Sequence, residues 1–364
     1  MPDNDNKKTP TVASPDFIFQ ELKDLSQKVA SAKDMPEELK DRLEKMLQRL
    51  NTMARMGSYS MEFDNIARYV DIVVSIPWGI RTEDKLDLSG TAEMLNKTHH
   101  GMQYVKDRVL EYLSTMVLIK RKGENAIAKS PVILFVGLQG VGKTTMAMSL
   151  ADALGRKFIR ISMGAIGAVT ELRGRSKSFP ESEPGQIVKA LIKTGVRNPV
   201  ILLDEIEKAS GQVGLQSDVM AALLEILDPN QNPNFRDHYV DFPIDLSEVL
   251  FVCSANNTGT ISTALMDRLE VIKMPSYTND EKEVIAREYL LPKVLVNSGL
   301  ADGELTIEPT LWPEIVKPFG YDSGIRSIGR TLESIARKVA KEIVDGKSKS
   351  VNLTSENLKY YLPK

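Results

Sequence analysis

Apolar residues recur at three- and four-residue spacing through the first part of the chain. Phe17, Leu22, Leu25 and Val29 mark one amphipathic helix between Phe17 and Ala32. Met35-Pro-Glu-Glu-Leu-Lys opens a second, with acids in the first turn, where the helix dipole favours them. Leu39, Leu43, Met46, Leu47, Leu50 and Met53 continue its stripe, which reads as a packing face. A third periodic segment runs from Phe63 to Val74 and ends at Ser75-Ile-Pro-Trp-Gly79. The pattern then changes. Pro131-Val-Ile-Leu-Phe-Val136, Val200-Ile-Leu-Leu203 and Val249-Leu-Phe-Val252 are unbroken apolar runs, as strands buried on both faces usually are. They alternate with helical segments, which predicts a doubly wound α/β domain with a parallel sheet. Beyond Tyr277-Thr-Asn-Asp280 the pattern reads as helical, apart from a short strand-like Ser350-Val-Asn-Leu-Thr354. The expected organisation is a disordered tail at 1–14 and a helical neck at 15–79. An α/β domain over 80–275 follows, entered through a charged linker at 80–92, and a small α domain occupies 276–364.

The turn after the first apolar run carries the chemistry. Gly137-Leu138-Gln139-Gly140-Val141-Gly142-Lys143-Thr144 fits G-x-x-x-x-G-K-[ST], the phosphate-binding P-loop. A strand precedes it, and a helix from Thr145 to Leu154, closed by Gly155, follows it. Gly137, Gly140 and Gly142 let the backbone curl so that successive N–H groups face phosphate oxygens. The helix adds its positive end. Lys143 reaches the β/γ-phosphates, and the Thr144 hydroxyl can ligate Mg²⁺.

Val200-Ile-Leu-Leu-Asp204-Glu205 delivers two carboxylates to a strand tip. Asp204 is placed to hold Mg²⁺, directly or through water, and Glu205 to orient or deprotonate the attacking water. A third strand ends in Ala255-Asn256-Asn257, where an uncharged amide can bond both the γ-phosphate and the water. A turn-forming Asn is the other account of that tip.

Composition narrows the picture. A net charge of −2 argues against global nucleic-acid binding, and the basic run Arg173, Arg175, Lys177 beside two glutamates is a weak footprint. One cysteine, Cys253, excludes an internal disulfide, and with three histidines it excludes a Cys/His zinc cluster. There is no run of 18 apolar residues for a membrane span and no apolar signal-peptide core. The expectation is a soluble cytoplasmic protein.

These residues together resemble the AAA+ ATPase module of Lon proteases. The likeness is carried by the P-loop and acidic strand, and by Ile76-Pro-Trp78, Arg173-Gly174 and Leu223-Leu-Glu-Ile-Leu-Asp-Pro-Asn-Gln-Asn232. Asp237-His-Tyr239, Asp267-Arg268-Leu-Glu270 and Gly324-Ile-Arg326 complete it, from about Met35 to Leu362. The resemblance implies that Gly137 to Thr145 and Asp204 bind ATP, with Thr144 and Asp204 on Mg²⁺. It makes Glu205 the catalytic carboxylate, Asn256 sensor 1, Arg268 the finger that reaches a neighbouring subunit's nucleotide, and Arg326 the sensor-2 arginine. Arg326 opens a helix, where a cation opposes the dipole unless an anion lies nearby. Arg268 could instead pair with Asp267 or Glu270.

A hexameric ring gripping unfolded polypeptide is implied, with Phe179 and Pro180 in the pore loop. There the sequence departs from the family: Pro180 stands for an aliphatic residue, Glu181 for a small one, and Gly164-Ala-Ile-Gly-Ala-Val169 lacks the usual charges. Leu138-Gln139 replace two prolines, and His100 a common tyrosine near the adenine pocket. No Gly-Pro-Ser-Ala-Gly-like loop for a Ser-Lys peptidase is present. An ATP-driven protein unfoldase or remodeller, with a separate peptidase as a possible partner, is therefore expected. An excised piece of a full Lon protease and a nucleotide-switched, non-catalytic binding module are the alternatives.

Overall fold

A computed structural model describes residues 15–32, 34–57, 61–125, 127, 130–179, 181–209, 215–317 and 324–363. The tail at 1–14 and Pro180 lie outside the described residues. The neck is three helices, α1 (Pro15–Ser31), α2 (Glu37–Arg55) and α3 (Met61–Ser75). Their stripes of Leu22, Leu25, Val29, Leu39, Leu43, Leu50, Val70 and Val73 are all buried.

The charged linker is shorter than expected. It ends at Asp87, which caps α4 (Leu88–Thr98) by accepting from the Ser89 backbone at 3.1 Å. α5 (Gln103–Arg121) follows. Five strands then form a parallel sheet: β1 (Val132–Val136), β2 (Phe158–Ser162), β3 (Val200–Asp204), β6 (Leu250–Ala255) and β7 (Leu269–Lys273). Their order is β2-β3-β6-β1-β7. The labels β4 (Phe235–Arg236) and β5 (Pro243–Ile244) belong to a small antiparallel pair.

Alternate residues of each strand feed two different cores, which is why the strands are continuously apolar. Leu134, Ile201, Leu203, Phe251 and Cys253 pack with the neck helices and with the helices Gln186–Thr194 and Leu215–Ile226. Ile133, Phe135, Val200, Leu202, Leu250 and Val252 pack with α4, α5 and α6 (Lys143–Leu154). The neck thus shares one core with a face of the sheet, and the Tyr69 hydroxyl donates to the Val240 carbonyl at 2.8 Å across that seam.

The C-terminal part has its own core around Trp312, Leu332, Ile335 and Val339. It is not purely helical: β8 (Leu305–Ile307) pairs in parallel with β9 (Val351–Leu353). The long helix Arg326–Val344 carries its apolar face.

Candidate active site

In an open α/β sheet, ligands gather at the C-terminal strand ends. Here the tips of β1, β3 and β6 meet the start of α6 and of the helix Arg326–Val344. They enclose a cavity of about 160 Å³ lined by Gln139, Gly140, Gly142, Lys143, Thr144, Thr145, Asp204, Glu205, Asn256 and Arg326. Arg268 is not among its lining residues.

The loop is held from both sides. The Gly137 N–H donates to Ala255 O at 3.1 Å, and a Cβ at Gly137 would lie 2.6 Å from Met274 O. Gly142 takes φ +99° and turns the chain into α6. Val141 is the loop's anchor, fully buried in the core, whereas Leu138 is exposed. Lys143 is buried and donates to Gly137 O, to Leu138 O at 3.0 Å and to Asn256 Oδ1 at 2.9 Å. Burial pulls its pKa down. Asp204 and Glu207 push the other way, and Arg326 adds to the lowering.

The two carboxylates are fixed by residues that the sequence did not single out. Asp204 is buried, and both of its oxygens are occupied: Arg160 of β2 donates to Oδ2 at 2.6 Å, and the Ser254 hydroxyl donates to Oδ1. The same Ser254 oxygen accepts the Glu205 N–H at 3.1 Å. Glu205 is a non-glycine residue at φ +60°, a conformation that surrounding contacts must hold. Its carboxylate is paired with Lys208 at 3.0 Å. Glu207 accepts from Asn256 N at 3.1 Å and from Asn256 Nδ2 at 2.6 Å. Next to the loop, His99 is buried, and its Nε2 is 3.3 Å from Thr145 Oγ1; it, rather than the half-buried His100, contacts the P-loop helix.

The C-terminal part sits directly on the P-loop. Ile325 N donates to Gly140 O at 3.2 Å, and a Cβ on Gly324 would lie 2.3 Å from Gln139 O. That clearance accounts for glycine in Gly324-Ile-Arg326, and it brings Arg326 to the cavity wall.

Arg268 is anchored elsewhere. It donates to Leu224 O at 2.8 Å and pairs with Asp228 at 3.0 Å. It does not pair with Asp267 or Glu270; Glu270 is taken by Arg108 at 2.7 Å. Phe179 is 58% exposed on a loop closed by a bridge between Arg175 and Glu183. The loop's base is buried Asp237, which accepts from the backbone N–H groups of Gly185 (2.7 Å), Tyr239 (2.8 Å) and Val240 (3.1 Å).

Two parts of the chain match known families. Residues 133–276 match the family described as ATPase family associated with various cellular activities (AAA), and residues 296–351 match the Lon protease AAA+ ATPase lid domain. The chain carries a Lon-type AAA+ ATPase module. The part on top of the P-loop, which carries Gly324 to Arg326, falls in the lid match. Lon protease 2 of Thermus thermophilus is 40% identical over 349 residues, which is 94% of this chain and 43% of that protein. Lon protease 1 of Bacillus subtilis is 40% identical over 344 residues, 94% of this chain and 43% of that protein. Lon protease of Acinetobacter baumannii is also 40% identical over 344 residues, 94% and 41%. The chain therefore spans about two fifths of the length of these curated relatives.

Proposed function

We propose that this module hydrolyses ATP within a ring of identical subunits and uses the energy to unfold or translocate polypeptide in ATP-dependent proteolysis. The observation that carries the reading is a cavity complete except for one part. Lys143, the loop amides and Arg326 meet the phosphates; Glu205 takes the proton of the attacking water; Asn256 bridges the P-loop lysine and Glu207. A hydrolytic site of this kind also needs a cation at the far side of the γ-phosphate. Arg268 of the same chain lies outside the cavity, bound to Asp228, so a second copy is the source that fits.

Mg²⁺ fits the donors present. Among the described residues, no group of three or more His, Cys, Asp or Glu side chains is placed to hold a metal alone. Mg²⁺ instead keeps waters and binds through one or two protein oxygens plus substrate phosphates. Thr144 and Asp204 would hold it, and when bound it neutralises charge on the β- and γ-phosphates. Asp204 has both oxygens engaged, which favours contact through water.

The exposed Phe179 supports a role in gripping polypeptide: a flat apolar side chain wedges between substrate side chains without reading sequence. A separate peptidase partner and a cytoplasmic location belong to the same proposal. Among the described residues, no helix is long and apolar enough to cross a membrane.

The ring is tested by mixing. Arg268→Ala should bind ATP with near-normal affinity but lose about a thousandfold or more in turnover, the scale of arginine fingers in other phosphoryl-transfer enzymes. Titrating it into wild-type protein should depress turnover more steeply than simple dilution. An Arg268→Ala protein that hydrolyses ATP at the wild-type rate would contradict the shared site.

A further inference from the structure

The sensor amide is not free to choose its orientation. Asn256 Nδ2 and the Asn256 backbone N–H both donate to one oxygen of Glu207, at 2.6 and 3.1 Å. A carboxylate only accepts, so the face of the amide toward Glu207 must be its NH₂ group. The amide oxygen must then face the other way, where it accepts from Lys143 at 2.9 Å. Glu207 is buried and does not line the cavity. Its own backbone carbonyl accepts from Thr260 Oγ1 at 3.0 Å, which holds the main chain that carries the acid.

Lys143 spends its three N–H groups on Gly137 O, Leu138 O and Asn256 Oδ1. A γ-phosphate also only accepts. On entry it competes with these three acceptors for a Lys143 donor, and the amide oxygen of Asn256 is the one side-chain acceptor among them. ADP has no group at that position.

Building on the site reading above, we propose that Glu207 is a positioning residue for ATP hydrolysis. It fixes the polarity of the Asn256 amide, so that the γ-phosphate is read through the Lys143–Asn256 bond. Glu207→Gln keeps the size and one acceptor, but it adds a donor, so both orientations of the Asn256 amide become acceptable. Glu207→Asp keeps an acceptor-only group.

The experiment measures steady-state ATP turnover and the ratio of ATP to ADP affinity for wild type, Glu205→Gln, Glu207→Gln, Glu207→Asp, Asn256→Ala and the Glu207→Gln/Asn256→Ala double variant. Glu207→Gln should lower kcat about tenfold with KM changed less than about threefold, and it should lower the ATP:ADP preference. Glu207→Asp should keep kcat within about threefold of wild type. In the Asn256→Ala background, Glu207→Gln should cost no more than about twofold further, because the two act as a unit. Additive losses, equal losses in the Gln and Asp variants, or a Glu207→Gln protein with unchanged kcat and preference would overturn the proposal. If wild type shows no turnover above Glu205→Gln, the hydrolytic site itself fails. If wild type turns over and Glu207→Gln matches it, only the role of Glu207 fails.

Discussion

Replacing Ser254 by alanine removes a single oxygen and with it two hydrogen bonds that meet at Asp204 and Glu205, the proposed catalytic pair. Ser254 is fully buried, so water cannot substitute easily for the lost group. Asp204 Oδ1 loses a charge-assisted donor, and the Glu205 N–H loses its acceptor. A bond to a charged group contributes about 1.5–3 kcal/mol. Glu205 also sits at φ +60°, a conformation costing about 1–3 kcal/mol that the lost bond helped to hold. Arg160 still grips Asp204 Oδ2 at 2.6 Å, so the carboxylate is loosened rather than released. A loss of about 2–3 kcal/mol in transition-state positioning corresponds to a drop in kcat of about 30- to 150-fold. KM for ATP should change little, because Lys143 and the P-loop amides are untouched. Ser254→Thr restores the hydroxyl and should recover kcat to within about threefold. Steady-state kinetics against MgATP, with thermal unfolding as a control, make the comparison. A folded Ser254→Ala protein with kcat within about twofold of wild type would refute this reasoning, as would a Thr variant no better than Ala.

Gly324→Ala would place a Cβ 2.3 Å from Gln139 O and 2.9 Å from Gly140 Cα, both backbone atoms, so the lid must lift off the P-loop. Nucleotide affinity by titration should fall about tenfold, since a displacement of this size costs about 1–3 kcal/mol. Burial, with Lys106 and Lys293 adding to it, holds the pKa of His99 down at about 4 against the usual 6.5. The unfolded chain then binds a proton that the folded chain refuses, so stability falls as pH drops from about 6.5 toward 4, by at most about 3 kcal/mol. Chemical denaturation across that range should show this slope, and His99→Gln should flatten it. Asp237→Ala strands three buried N–H groups and should destabilise the protein by about 3 kcal/mol or more in the same assay.

The readable parts of this chain are those whose physics is local. A phosphate cradle needs glycines, a lysine and a hydroxyl in one short run between strand and helix, and the run from Gly137 to Thr144 states it outright. The neck helices follow from spacing alone, but not their shared core with the sheet, which depends on contacts such as Tyr69 with Val240. Ser254 escaped because its role comes from register. β3 and β6 pair with Leu203 opposite Cys253, and this places the next residue of β6 beside Asp204. Glu207 escaped for a similar reason, since its partner lies 49 residues away on another strand tip. Asp87, the cap of α4, lies in a charged stretch that reads as linker. The strand-like Ser350–Thr354 does contain β9, whereas its partner β8 is only three residues, too short for a periodic signal. The Arg268 rival went wrong in its partner. Asp228, held by Asn230 N at 2.9 Å and Gln231 Nε2 at 2.8 Å, is brought to Arg268 by a turn that local spacing does not reveal.

The most direct test of the central claim is ATP turnover by the purified chain beside Glu205→Gln. The account predicts steady release of phosphate by wild type, and a variant that binds ATP with similar affinity but hydrolyses it at least about a hundredfold more slowly, since the positioned base is gone. Equal turnover in the two proteins, or tight ATP binding by wild type with no hydrolysis at all, would contradict it.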